Sequence, residues 1–294
     1  MKMLQKVAIY SSENGAKTRE VILRLIQEFC RQGITIQLYE RSDEVPVCPG
    51  GRSIERFTDL NSLSALPELV LSIGGDGTFL ETMLKVKDLG IPVAGINTGR
   101  LGFLANISEE EVNHSLDLLY AGDYEIIERC LLELLDPPDL FEGITQVALN
   151  EITIQKADPS MIIINVFVDD TYLNTYWADG LIISTATGST AYNLSVGGPI
   201  LSPEDESIII SPISPHNLTI RPIIISGTSK LRMVVEGRST EYLATCDFRS
   251  KRVPFSQEIH ISQSPKKLKT VMLKGRDFYS TLRNKLMWGA DKRN

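Results

Sequence analysis

Apolar residues follow two different rhythms along the chain. In the first third, short apolar runs alternate with longer segments whose apolar positions recur every three or four residues. Residues 6–10 (KVAIY) read as a short strand. Over 18–32, Val21, Ile22, Leu25, Ile26 and Phe29 form one helical stripe. Gly33 stands where a left-handed residue closes a helix. Further strands are expected at 34–39, 69–73 and 91–96, with a helix over 79–89. Ser108 and Glu111 have capping-box spacing and open a helix running through Tyr120. This alternation predicts parallel strands joined by helical crossovers. Segment 40–66 is polar and rich in Pro, Gly and Ser, so it reads as a long loop and a candidate lid.

After about residue 125 the rhythm changes to short β-rich runs separated by turn residues. They fall at 147–155, 162–168, 181–185, 208–213, 220–226, 231–236, 242–248 and 259–263. Phe278, Leu282 and Leu286 then repeat at helical spacing. The expected organisation is an α/β domain over 1–125, a β-rich domain over 126–275, and a C-terminal helix over 276–294 packing back on the first domain.

Composition narrows the function classes. A length of 294 residues suits about two domains, and 43% hydrophobic residues suffice for sizeable cores. No run reaches the roughly 18 apolar residues of a membrane span, and residues 1–10 lack the features of a secretory signal. The expectation is a cytoplasmic protein without a membrane role. Cys30, Cys48, Cys130 and Cys246 are scattered, which suggests reduced thiols and neither a zinc site nor a redox pair. His114, His216 and His260 show no metal-ligand spacing. The net charge of -7 argues against a general nucleic-acid binder. A bound anion would have to be held by backbone N–H groups and a few local cations.

The strongest chemical signal is LVLSIGGDGTFLETM, residues 69–83. A buried strand runs into a glycine-rich turn, Gly74-Gly75-Asp76-Gly77-Thr78, and a helix follows. Glycines allow close backbone approach to a ligand, and the helix start offers free N–H groups to phosphate. The Lys-Ser/Thr pair of a P-loop and the Gly-x-Gly-x-x-Gly dinucleotide fingerprint are both missing. A carboxylate among phosphate-binding amides suggests a role for Asp76 beyond binding. The competing reading is a tight turn in which Asp76 bonds its own backbone.

Three weaker signals accompany it. Asp179-Gly180 opens a strand, and residues 187–195 (TGSTAYNLS) turn into a short helical stretch. Hydroxyls there could meet a nucleotide and Tyr192 could stack on a base, although a helix cap and a core tyrosine fit as well. Asn150-Glu151 could contact ribose hydroxyls or form an exposed strand end. Arg100, in the run 97–103 (NTGRLGF), could meet a phosphate or lie on the surface.

Together these runs resemble the NAD kinase family, bacterial type. The Gly-Gly-Asp-Gly-Thr run alone is shared with diacylglycerol- and sphingosine-type lipid kinases. The longer set is more specific: Gly74 to Thr78, Asn97 to Phe103, Asn150-Glu151, Asp179-Gly180, Thr187 to Ser195, Gly197-Gly198-Pro199, Pro215-His216 and Arg221-Pro222, in the family's order. The resemblance implies a Rossmann-like α/β N-terminal domain, a mostly-β C-terminal domain, and phosphorylation of NAD by ATP to give NADP and ADP. It implies that Asp76 accepts the proton of the ribose 2′-hydroxyl with Gly77 beside it. Asn150 and Glu151 would hold NAD, Asp179 its nicotinamide end, and Thr190, Ala191, Tyr192, Asn193, Leu194 and Ser195 the adenine side. Gly74, Gly75, Gly77, Thr78 and Arg100 would hold the phosphates of ATP. The family's properties add Mg2+ or another divalent ion carried with ATP, no metal held by protein residues, and a homo-oligomer, tetramer or dimer. Trp177, Ala186 and Arg249 depart from the family's common Arg, Pro and Gln, and the first and third put ligand contacts in doubt. The rival readings are a lipid kinase and a non-catalytic nucleotide sensor.

Overall fold

The computed structural model describes residues 4–12, 15–40, 54–99 and 102–288. The chain divides into two units, Met1–Glu128 with Leu268–Asn294, and Arg129–Lys267.

In the first unit the chain runs β1 (Lys6–Tyr10), α1 (Ala16–Gln32), β2 (Thr35–Tyr39), β3 (Glu55–Phe57), β4 (Leu69–Ile73), α2 (Asp76–Val86), β5 (Val93–Asn97), β6 (Ile107–Ser108) and α3 (Val112–Ala121). The strands pair in parallel in the order β5-β4-β1-β2-β3, with β6 on β5. α1 forms because its apolar stripe meets the sheet: Val21, Leu25, Ile26 and Phe29 are buried with Val7, Ile9, Leu71 and Ile73. It ends at Gly33, whose φ of 76° is the left-handed value glycine adopts without cost. β4 is buried along its whole length, as a strand covered on both faces must be.

In the second unit the chain continues through β7 (Tyr124–Asp136), which begins in the first, then β8 (Val147–Ala148), β9 (Glu151–Lys156), β10 (Ile162–Val168), β11 (Thr171–Ala178), β12 (Gly180–Ser184), α4 (Tyr192–Ser195), β13 (Ile208–Ile213), β14 (Ile223–Ile225), β15 (Leu231–Gly237), β16 (Glu241–Cys246), β17 (Arg249–Pro254) and β18 (Ile259–Leu273). An antiparallel sheet runs β14-β13-β12-β9-β16-β17, and β11-β10-β15-β18 form a second antiparallel run. Inward residues of both, among them Ile152, Ile154, Ile164, Val166, Leu181, Ile183 and Tyr242, make one core. The last residues of β18 return to the first unit, where Thr270 pairs in parallel with Val93 of β5. α5 (Phe278–Leu286) follows, capped by the Asp277 carboxylate.

Several expectations are corrected. The helix after β4 begins at Asp76, three residues before the predicted 79, so the aspartate belongs to its first turn. Segment 40–66 is not all loop: residues 55–57 form β3 against β2, and 60–62 form a short 3-10 turn. Residues 41–53 of the candidate lid lie outside the described residues. Strands β7, β11 and β17 were not foreseen. β11 and β17 end their sheets and show no regular apolar alternation, so backbone pairing makes them strands. Cys30 is disulfide-bonded, against the expectation of four reduced thiols. Spacing along the chain does not show which thiols the fold brings within bonding distance. Cys130 and Cys246 are free and buried. Burial pushes the Cys246 thiol up to about 12, which makes it a poor nucleophile.

Candidate active site

In the first unit, β4 delivers the chain to Gly74, whose φ is 148°. A Cβ there would lie 2.4 Å from Thr78 Oγ1, so glycine is required. At Gly75 and Gly77 an added Cβ would meet nothing within 4 Å. Packing does not require glycine at those two positions. Its effect there is to leave the first turn of α2 bare, with N–H groups that have no partner within the helix. That surface can accept a phosphate group.

Asp76 does not bond its own turn. Its carboxylate reaches across to the loop after β5 and accepts three backbone N–H bonds. Phe103 donates to Oδ2 at 2.9 Å, Leu104 to Oδ1 at 3.2 Å and Ala105 to Oδ1 at 2.9 Å. A carboxylate oxygen has about two acceptor positions. Oδ1 is therefore filled, and Oδ2 retains one position. Gly102 makes this clamp possible, because a Cβ there would sit 1.7 Å from Asp76 Oδ1. Asn97 shapes the same loop by accepting from the Gly99 N–H at 2.7 Å. Arg100 lies outside the described residues.

In the second unit, Asn150 and Glu151 sit at the start of β9, fixed from two sides. Asp247, at the β16–β17 turn with φ 52°, accepts from the N–H groups of Leu149, Asn150 and Glu151 at 2.9, 2.8 and 3.3 Å. On the other side Thr185 Oγ1 donates to Leu149 O at 2.6 Å and accepts from Gly188 N–H at 3.0 Å. Gly188 is tightly seated, since a Cβ would lie 2.0 Å from Asn150 O. These bonds hold the 187–190 turn against Asn150 and set the start of α4 beside Glu151.

Glu151 is buried, and its Oε2 has no hydrogen-bond partner. Burial, then the nearby Asp247 charge, push its carboxyl from the ordinary 4.5 up to about 8. Burial also raises Asp247, opposed by its three N–H donors. Held this high, the Glu151 carboxyl is protonated at neutral pH, and an inward-facing carboxyl that can both donate and accept suits a sugar hydroxyl. A carboxyl raised in this way stabilises the fold while protonated. That contribution is complete below about 4.5 and is lost as pH rises through about 8. Glu151→Gln, neutral at every pH, should therefore melt like wild type near about pH 5 and at a higher temperature than wild type near about pH 9. Thermal melts across that range check it; a difference that does not grow with pH would reject it.

The remaining candidates fall into two groups. Asp179 pairs with Lys156 at 2.7 Å on a half-exposed surface, and Tyr192, 37% exposed, accepts from Gln155 Nε2 at 3.1 Å. Thr190, Ala191, Leu194 and Ser195 surround Tyr192 and are at least partly exposed. Asn193 differs: it is fully buried, donates to Ser189 O and Pro199 O, and accepts from Ser211 Oγ. Its amide holds the turn together.

The three departures from the family pattern have local explanations. Ala186 has φ -59°, the value a proline imposes. Arg249 donates to Thr145 O and Val147 O and stacks over Phe141 and Phe248, so it braces the segment leading to Asn150. Trp177 is half exposed and lines a groove with Ser160, Met161, Ile163, Glu236 and Arg238. Sequence reasoning missed Asp247 and Thr185 as parts of the site and gave Gly102, within the run 97–103, no role of its own; each acts on residues far away in the chain.

Comparison with known proteins matches both units. Residues 37–124 match the ATP-NAD kinase N-terminal domain, and residues 149–273 the ATP-NAD kinase C-terminal domain. An NAD kinase of Cytophaga hutchinsonii is 45% identical over 239 residues, 81% of each chain. One of Christiangramia forsetii is 38% identical over 295 residues, covering 98% of this chain and all of its own. The crystal structure of an NAD kinase from Archaeoglobus fulgidus in complex with ATP superposes with a TM-score of 0.74 at 26% identity, over 96% of this chain and 99% of that one. The chain belongs to the ATP-NAD kinase family.

Proposed function

We propose that the chain transfers the γ-phosphoryl group of ATP to the 2′-hydroxyl of the adenosine ribose of NAD, giving NADP and ADP. The observation that carries the mechanism is the Asp76 carboxylate, clamped beside the bare first turn of α2 with one acceptor position left on Oδ2. In this reading Oδ2 takes the ribose hydroxyl proton, the hydroxyl oxygen bonds to the γ-phosphorus, and the bond to the bridging oxygen breaks to release ADP. Such transfers have loose transition states, so positioning and charge stabilisation do most of the work. The Gly74 N–H is taken by Ile96 O at 2.9 Å, so in this reading the N–H groups from Gly75 onward hold the phosphates.

Asn150 and Glu151 hold NAD, Asp179 meets its nicotinamide end, and residues 190–195 line its adenine side, with Asn193 acting through the turn it holds. Among the described residues no group of three or more His, Cys, Asp or Glu could hold a metal ion. Mg2+ or another divalent ion would arrive bound to ATP and neutralise the phosphates. No helix among the described residues is long and apolar enough to cross a membrane. The end strand β14 exposes Ile223 and Ile224, a surface suited to a homo-oligomer.

The test is direct. Purified protein with ATP, Mg2+ and NAD should produce NADP, read with an NADP-specific dehydrogenase. NAD binding without NADP would point to a sensor, and phosphorylation of a lipid in place of NAD would point to a lipid kinase.

A further inference from the structure

The Asp76 clamp has a neighbour that the mechanism above does not use. Lys285 lies in the last turn of α5, in the same unit as Asp76. Its Nζ sits over the Phe103 ring, 4.8 Å from the centroid. Phe103 is the residue whose N–H binds Asp76 Oδ2 at 2.9 Å, the oxygen with the open acceptor position. Among the described residues no carboxylate lies within ion-pair distance of Lys285.

We propose that Lys285 is a positioning residue for the phosphoryl transfer, holding Phe103, and through it Asp76 Oδ2, in the orientation that receives the hydroxyl proton. Three observations favour this over a solvated helix face. Lys285 is half-buried, and burial lowers its ammonium while the Asp76 charge opposes that shift. A cation over an aromatic face is attracted to it, the more so when partly desolvated. The contact also bears on one side chain of the loop whose backbone forms the clamp. Small misplacements of a reacting group are costly in rate. A residue that fixes a base should thus change turnover more than binding.

The inference rests on Asp76 as the base, so that reading is assayed separately with Asp76→Asn. Lys285→Met keeps the apolar stem and removes the charge. It should lower kcat about tenfold or more while KM for NAD and ATP stays within about twofold. Lys285→Arg, which can also stack on an aromatic ring, should recover most of the loss. Phe103→Leu removes the ring from the other side, and the double variant Lys285→Met with Phe103→Leu should be no slower than the slower single variant. Thermal melts exclude simple unfolding; if Lys285→Met is unfolded, the Phe103→Leu and Lys285→Arg comparison carries the test. The proposal is overturned if Lys285→Met keeps wild-type kcat, if the loss lies in KM, or if the two losses multiply. Loss of turnover in Asp76→Asn with none in Lys285→Met would sink this inference alone. Full activity in Asp76→Asn would sink the reading beneath it.

Discussion

Asp76→Asn should fold, bind NAD, and turn over at least about a hundredfold more slowly than wild type. The amide oxygen of the variant can still accept from one side of the clamp formed by Phe103, Leu104 and Ala105. The amide nitrogen cannot, so at least one backbone N–H loses its acceptor. An unpaired buried donor costs about 1–3 kcal/mol, less at this partly exposed site, and the drop in melting temperature should be modest. Turnover responds differently, because an amide has no basic position for the hydroxyl proton. A general base contributes about 10²–10⁴-fold. The measurement is kcat together with a calorimetric Kd for NAD. Weakened binding with little change in kcat would reject the assigned role.

Gly102→Ala tests the same clamp from outside it. The new methyl would sit 1.7 Å from Asp76 Oδ1 and 2.3 Å from Cγ, far inside contact distance, so the carboxylate or the loop must move. A displacement of about 1 Å at a reacting group can cost on the order of a hundredfold in rate, and that loss in kcat is expected here. Gly77→Ala provides the contrast. A Cβ at Gly77 meets no protein atom and alanine favours a helix, so its fold should hold. If Gly102→Ala keeps wild-type kcat, the three-amide clamp is not what orients Asp76.

Much of the first unit was legible from the chain. The apolar stripe of α1 and the run of β4 are local patterns: the stripe maps onto one buried helix face, and the continuous run onto a strand buried along its whole length. The glycine run was legible for the same reason, since a strand, a bare turn and a helix start follow one another within a few residues. The second unit was read less completely. Its end strands β11 and β17 show no regular apolar alternation and owe their conformation to the strand beside them. Asn193 resembled a ligand contact in sequence, but the fold buries it with every polar atom of its amide bonded to protein. Whether Asp76 bonded its own turn was equally open, because a nearby partner and a distant one give the same local sequence.

By itself, then, the sequence determined where a phosphate could rest and which carboxylate stood beside it, because glycine conformation and helix N–H groups are properties of neighbouring residues. Only the tertiary structure decided how that carboxylate is aimed. Its donors lie 27 to 29 positions further along the chain, and the Asp247 that fixes Asn150 lies 97 positions away. Hydrogen bonds between such distant residues form only when the sheet brings loops together, and they leave no periodic trace in the sequence.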